Sequence, residues 1–268
     1  MKNLSFVLFL TLLLAGCAKE TQQVDVIPNH KTFVIESSEV SESRVINVWM
    51  PEGYAKSTDS LPVMYMLDGG IQEDFPHLAN TISKLIENKS IPPMLLVGIE
   101  NTERRRDLTG PSQVAQDKEV APLTDGSSVF RAFVNNELFP EINKRYRTTN
   151  YKGVIGESVA GLFVVETLLL NPELFDFYIA IDPSLWWNNG HLTTTSKKYI
   201  DKLTSSNKKL WFAGSQAVDI SVYTNQLAKT LEKEAPQTLT WKYSNEPNEK
   251  HSTIFRATKE KALKWILN

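Results

Sequence analysis

The sequence predicts a single layered α/β domain: a mostly parallel central sheet, helices covering both of its faces, and a pair of antiparallel strands at its amino-terminal side. Three observations predict it. Short β-branched and aromatic runs alternate with segments of helical periodicity from Lys31 to the end. No long linker, low-complexity block or internal repeat interrupts them, as expected for one sheet wrapped by helices. One run, Tyr151–Ile155, leads into Gly156-Glu157-Ser158-Val159-Ala160-Gly161, a lone serine among small residues before a helix-like stretch.

In chain order, residues 1–16 read as an export signal: Lys2 supplies the positive charge, Leu4 to Leu14 the apolar run, and Leu14-Ala15-Gly16-Cys17 a small-residue close. The run is shorter than the roughly 20 apolar residues of a membrane span. Together these features resemble a bacterial lipoprotein signal, which implies cleavage before Cys17 and acylation of that residue. Cys17 is the only cysteine, so no disulfide can form within the chain. Residues 17–30 then read as the lipidated cysteine and a flexible polar tether, and residues 31–268 as the folded domain. The expected location is the cell envelope, with the domain held to a membrane by lipid on its periplasmic side or at the cell surface.

Within the domain, Thr32–Ser37 and Arg44–Pro51 read as paired strands and Val63–Leu67 as a buried strand running into Asp68-Gly69-Gly70. A helix is expected near Phe75–Asn88, a buried strand at Met94–Ile99, and a helix over Ser128–Tyr146, where Phe130, Phe133, Val134, Leu138 and Ile142 recur at helical spacing. After the serine, Leu162–Leu170 reads as a helix, Phe177–Ile181 and Leu210–Ala213 as central strands, and Val222–Leu231 as a helix. Leu239–Tyr243 is the last strand and Ile254–Leu267 the closing helix. In such sheets, sites gather beyond the carboxyl ends of the strands.

Composition narrows the function. Hydrophobic residues at 41% and charged residues at 22% describe a globular chain, and a formal charge of −2 supplies no basic footprint for nucleic acid. A strand–serine–helix turn is the setting of a nucleophile elbow, and serine needs a base to take its proton during attack. Of four histidines, His30 falls in the tether, His77 in the first long helix and His191 in the loop after Trp187. His251 alone follows the last strand and precedes the final helix, the position expected in the chain order Ser, acid, His of an α/β-hydrolase. For the acid, Asp219 just past the Leu210–Ala213 strand is the first choice; Glu246 and Glu249 are the alternatives, and a Ser–His pair without a carboxylate stays open. The backbone amides of Val159 and Gly70 are the expected oxyanion donors. No metal or organic cofactor is required by this chemistry.

The segments Tyr65–Gly70, Val97–Asn101, Arg104–Thr109, Gly156–Phe163, Asp182–Trp187 and His251-Ser252 together resemble the esterase D and enterobactin-esterase-like family, from about Thr32 to the end. That family is similar in fold to mycolyltransferase antigens and to feruloyl and acetylxylan esterases. The resemblance implies an esterase whose oxyanion donors are the residue after the Asp-Gly pair, here Gly70, and the residue after the serine, here Val159. It also favours Asp219 as the acid. Two positions depart from the family pattern: Glu157 stands where histidine is frequent, and Ala160 where glycine is usual. Asp68, Arg106, Trp186 and Trp187 are the candidate substrate contacts, arginine for an anionic group and the tryptophans as an aromatic wall.

The leading expectation is a serine esterase acting on a small-molecule or glycan-linked ester. The same machinery with an acceptor alcohol would be an acyltransferase, and a noncatalytic ligand-binding lipoprotein with a hydrolase-like pocket is the reading from another class.

Overall fold

A computed structural model describes residues 25–203 and 207–268. The signal, Cys17 and most of the expected tether therefore lie outside the described residues. From Asp25 the segment is docked rather than free: the Asp25 carboxylate meets His77 Nδ1 at 2.9 Å and Arg256 Nη2 at 2.9 Å, and Asn80 donates to Val26 O at 2.7 Å.

Eight strands form one sheet in the order β1-β2-β4-β3-β5-β6-β7-β8. The antiparallel lead is β1 (Lys31–Ser37) against β2 (Glu42–Trp49), and β2 is also antiparallel to β4 (Leu95–Ile99). All remaining neighbours run parallel: β3 (Leu61–Met66), β5 (Thr148–Glu157), β6 (Phe177–Ile181), β7 (Lys208–Gly214) and β8 (Leu239–Asn245). Parallel strands need crossovers, and these place helices on both faces. On one face α1 (Phe75–Glu87) and α8 (Ile254–Leu267) bury Phe75, Leu78, Ile82, Leu263 and Ile266 against Met64, Ile155, Ile179 and Trp211.

The opposite face carries more helix. After the short α2 (Arg104–Asp107), α3 (Gly126–Phe133) passes through a π-helical turn at Val134–Leu138 into α4 (Phe139–Arg145), so the single helix expected over this stretch is continuous but bulged. Asp125 Oδ1 caps its start, accepting from Ser128 N–H at 3.1 Å. Next comes α5 (Val159–Leu170), apolar on every side and buried from Val159 to Leu169, as suits a helix sandwiched between the sheet and outer helices.

The segment after Trp187, expected to be a loop, is a helix, α6 (Trp187–Ile200). Three features hide it from a periodicity reading: the Thr193–Thr195 run and Gly190 are poor helix formers, and its first turn is left-handed at Asn188, Asn189 and Gly190. Asn188 holds that turn by accepting from Gln113 N–H at 3.0 Å. Finally α7 (Val218–Glu234) leads back to β8.

Candidate active site

The sheet's carboxyl edge brings the ends of β3, β5 and β6 together with the loop before α8. At the end of β5, Ser158 sits at φ 60°, ψ −120°, a conformation a serine holds only under constraint from its surroundings. The constraint is visible: Ser158 N–H donates to Ile181 O at 3.0 Å, and Ser184 N–H donates to Ser158 O at 3.0 Å. Gly156 permits the bend, because a Cβ there would lie 2.7 Å from the Ala160 backbone and 2.8 Å from its Cβ. The Ala160 departure is thus absorbed by Gly156, one turn below it.

His251 approaches from the loop before α8. Its Nε2 is 3.1 Å from Ser158 Oγ, within reach of the hydroxyl proton, and 44% of its side chain remains open to solvent, enough for a substrate to enter. Its Nδ1 lies 2.6 Å from Asp182 Oδ2, and the carboxylate accepts that N–H. Asp182 is fully buried and receives two further donors, Ser215 N–H on Oδ1 at 2.6 Å and Ser215 Oγ–H on Oδ2 at 2.8 Å. The hydrogen bond to Asp182 raises the His251 pKa above its ordinary value against the lowering effect of burial; the charges of Asp182, Glu157 and Asp219 add to the rise.

The carboxylate at the imidazole is therefore Asp182, not Asp219, Glu246 or Glu249. Strand β6 is the immediate neighbour of β5, with Glu157 paired to Ile181, so the next residue of each strand, Ser158 and Asp182, emerge side by side. Asp219 lies exposed in the first turn of α7, Glu246 is bound to Ser244 Oγ at 2.6 Å and Lys261 Nζ at 2.8 Å, and Glu249 accepts from Thr253 Oγ1 at 2.7 Å. In chain order the three groups that meet here are Ser158, Asp182 and His251, the carboxylate coming one strand earlier than expected. That a carboxylate directly ends the first buried strand after the serine is visible in the sequence; that this strand lies beside β5 is not.

The remaining histidines lie elsewhere: His30 bonds Pro28 O, His77 bonds Asp25, and His191 is exposed on α6. Val159 opens α5, so its N–H has no partner one turn earlier and lies beside Ser158. Gly70 N–H, the other expected oxyanion donor, is engaged by Glu73 Oε2 at 2.6 Å.

Three of the four expected substrate contacts are committed to the protein itself. Arg106 Nη1 and Nη2 bond the Glu42 carboxylate at 2.5 and 3.0 Å, and its Nε bonds Asp107 Oδ1 at 2.8 Å, so the guanidinium is a clamp between α2 and β2. Trp187 is buried and donates from Nε1 to Gly110 O at 2.9 Å. It also edges a cleft of about 710 Å³ along α5 and α6 whose lining includes neither Ser158 nor His251. Trp186 is half-buried and meets Trp187 edge-on.

Asp68 stands near the Glu157–Ser158 turn, but as a brace. Its Oδ1 and Oδ2 accept from Arg104 Nε at 2.5 Å and Nη2 at 2.8 Å, and Arg104 Nη2 also donates to Glu157 O at 3.2 Å. Arg104, two residues before the one expected, is thus the arginine that touches the elbow. Glu157 itself is pushed up to about pKa 7, first by burial; the neighbouring His251 charge opposes the rise, while Asp74, Asp182 and Asp68 reinforce it. Among the described residues no cluster of three or more potential metal ligands occurs.

Residues 37–263 match the family model described as a putative esterase. The chain is 28% identical over 174 residues to the ferri-bacillibactin esterase BesA of Bacillus subtilis, covering 60% of this chain and 58% of that protein. It is 27% identical over 194 residues to the siderophore triacetylfusarinine C esterase of Aspergillus fumigatus, covering 65% of this chain and 62% of that one. The match thus spans less than two thirds of the length of either curated relative. Among solved structures, the IroE-like serine hydrolase of Shewanella oneidensis superposes with a TM-score of 0.82 at 27% identity, over 89% of this chain and 80% of that one. With a mostly parallel eight-stranded sheet and a family match running through almost the whole folded region, the chain belongs to the putative esterase family.

Proposed function

We propose that this protein is a serine esterase that hydrolyses carboxylic esters through an acyl-enzyme on Ser158. The observation that carries the reading is the hydrogen-bonded line Ser158 Oγ, His251 Nε2, His251 Nδ1, Asp182 Oδ2, with separations of 3.1 and 2.6 Å at its two ends. Ser158 Oγ attacks the ester carbonyl while His251 Nε2 takes its proton, and Asp182 holds the tautomer and stabilises the imidazolium. The Val159 N–H receives the developing oxyanion, with Gly70 N–H as the second donor, and His251 returns the proton to the departing alkoxide. Water, activated by the same imidazole, then releases the acid. The names of the relatives support a small-molecule ester of siderophore type as substrate.

A fluorophosphonate tests the mechanism: stoichiometric labelling of the wild type and none of Ser158→Ala, together with burst release from a nitrophenyl ester, is expected. A folded wild type that neither labels nor turns over would favour the noncatalytic ligand-binding alternative. The Leu14–Cys17 sequence further supports export and acylation of Cys17. Metabolic labelling with a radioactive fatty acid should mark the wild type and spare Cys17→Ser.

A further inference from the structure

The loop after β3 turns back on itself around Gly70. Glu73 N–H donates to Gly70 O at 3.0 Å, and the Glu73 side chain folds over the same turn so that Oε2 accepts from Gly70 N–H at 2.6 Å. The other oxygen, Oε1, accepts from Asn101 Nδ2 at 2.6 Å, and the same Asn101 amide reaches Asp68 Oδ1 at 2.6 Å. The carboxylate lies directly on the glycine: a Cβ at Gly70 would come within 2.8 Å of Oε2. In the esterase reading the Gly70 N–H is the second donor to the ester oxygen as it turns into an alkoxide, and a carboxylate oxygen is an anion of similar size seeking the same donor. One short charge-assisted hydrogen bond does not serve two anions.

We propose that Glu73 is a built-in competitor for the oxyanion hole, a positioning residue that holds the Gly70 amide until the substrate carbonyl displaces it. The inference rests on the esterase reading above. Glu73 is suited to letting go, because half-burial pushes its carboxyl pKa up, and this outweighs the stabilising bonds from Gly70 and Asn101. Released from Gly70, it keeps Asn101 as an anchor. Among the described residues the resting site then has one oxyanion amide without a partner, that of Val159, and acquires its second on substrate entry.

Replacing the residue separates a competitor from a brace. Glu73→Gln keeps the shape and removes the charge; Glu73→Ala removes the side chain. Both should raise kcat/KM for a nitrophenyl ester, the alanine variant roughly tenfold, which is the scale of one charged hydrogen bond that need no longer be broken. Both should also tighten binding of a trifluoromethyl ketone, which forms a tetrahedral oxyanion on Ser158, by a similar factor, with substrate KM changing much less. A mere brace would leave the ketone's affinity unmoved or weakened, and that result in folded Glu73→Gln overturns the proposal even if the alanine variant fails to fold. If the wild type neither labels with fluorophosphonate nor turns over, the esterase reading falls and the competitor with it. If the wild type does both while the ketone's affinity is unchanged in Glu73→Gln, the competitor alone falls.

Discussion

Glu157 directly precedes Ser158 and is largely buried, and Glu157→Gln gives two readouts of its state. Burial moves its carboxyl from the ordinary 4.5 to about 7. Between those values the unfolded chain has released the proton and the folded chain still holds it, so stability falls as pH rises from about 4.5 through 7. At 1.36 kcal/mol per pH unit, ionised Glu157 costs the fold about 3 kcal/mol above pH 8, less whatever local relaxation recovers. Glutamine carries no such cost. Relative to the wild type, Glu157→Gln should therefore gain stability between pH 5 and pH 8.5. At about 2–4 °C per kcal/mol for a domain of this size, the difference in Tm between variant and wild type should widen by roughly 5–10 °C across that range. Thermal unfolding by circular dichroism at the two pH values measures it. The second readout is catalytic: the Glu157 charge helps raise the His251 pKa, so its removal should move the acid limb of the kcat/KM profile to lower pH. A Tm difference that is the same at both pH values would show that Glu157 is solvated and would refute the burial argument.

Asp182→Asn should lower kcat by roughly 10³–10⁴-fold, because the amide can hold the wrong imidazole tautomer, whereas Asp219→Asn should stay within a few-fold of wild type in the same nitrophenyl ester assay. Arg106→Ala should leave KM for neutral esters unchanged while lowering Tm, since it breaks the ion pairs with Glu42 and Asp107 and not a substrate contact. Because carboxylates outnumber cations around the imidazole, esters matched in size but bearing an anionic acyl group should react more slowly than neutral ones. Added salt should narrow that gap, and a gap insensitive to ionic strength would place its origin in shape.

Much of the site was legible locally, and the parts that were not depend on neighbours distant in sequence. Ser158 is marked by its own surroundings, since Gly156, Ala160 and Gly161 are the small residues a tight strand-to-helix turn requires. His251 is marked by position between the last strand and last helix. Asp182 could not be chosen by such means: what recommends it is that β6, and not β7, lies beside β5, and sheet order is a tertiary property. The same holds for Arg106, whose partner Glu42 lies 64 residues earlier, and for Trp187, whose Nε1 finds Gly110 77 residues away. Helix α6 was hidden for the opposite reason, since packing overrides the weak local propensity of its threonines and its left-handed first turn.

Three carboxylates stand around one imidazole, and their environments separate their roles more sharply than their identities do. Asp182 is fully buried, but three hydrogen-bond donors converge on it, two from Ser215 and one from His251, so a charge there is balanced by protein dipoles. Glu157 is also largely buried, yet no hydrogen-bond donor among the described residues reaches its carboxyl, and its ionisation is resisted until about pH 7. Asp219 is exposed and acts on His251 only through its screened charge. In the proposed mechanism, the imidazolium formed when His251 takes the Ser158 proton is held by a fixed acceptor on one side. Below neutrality Glu157 can stay protonated beside it, and above neutrality Glu157 adds negative charge. Glu157 thereby couples the basicity of the imidazole to the pH of the surroundings, raising it as pH climbs through about 7.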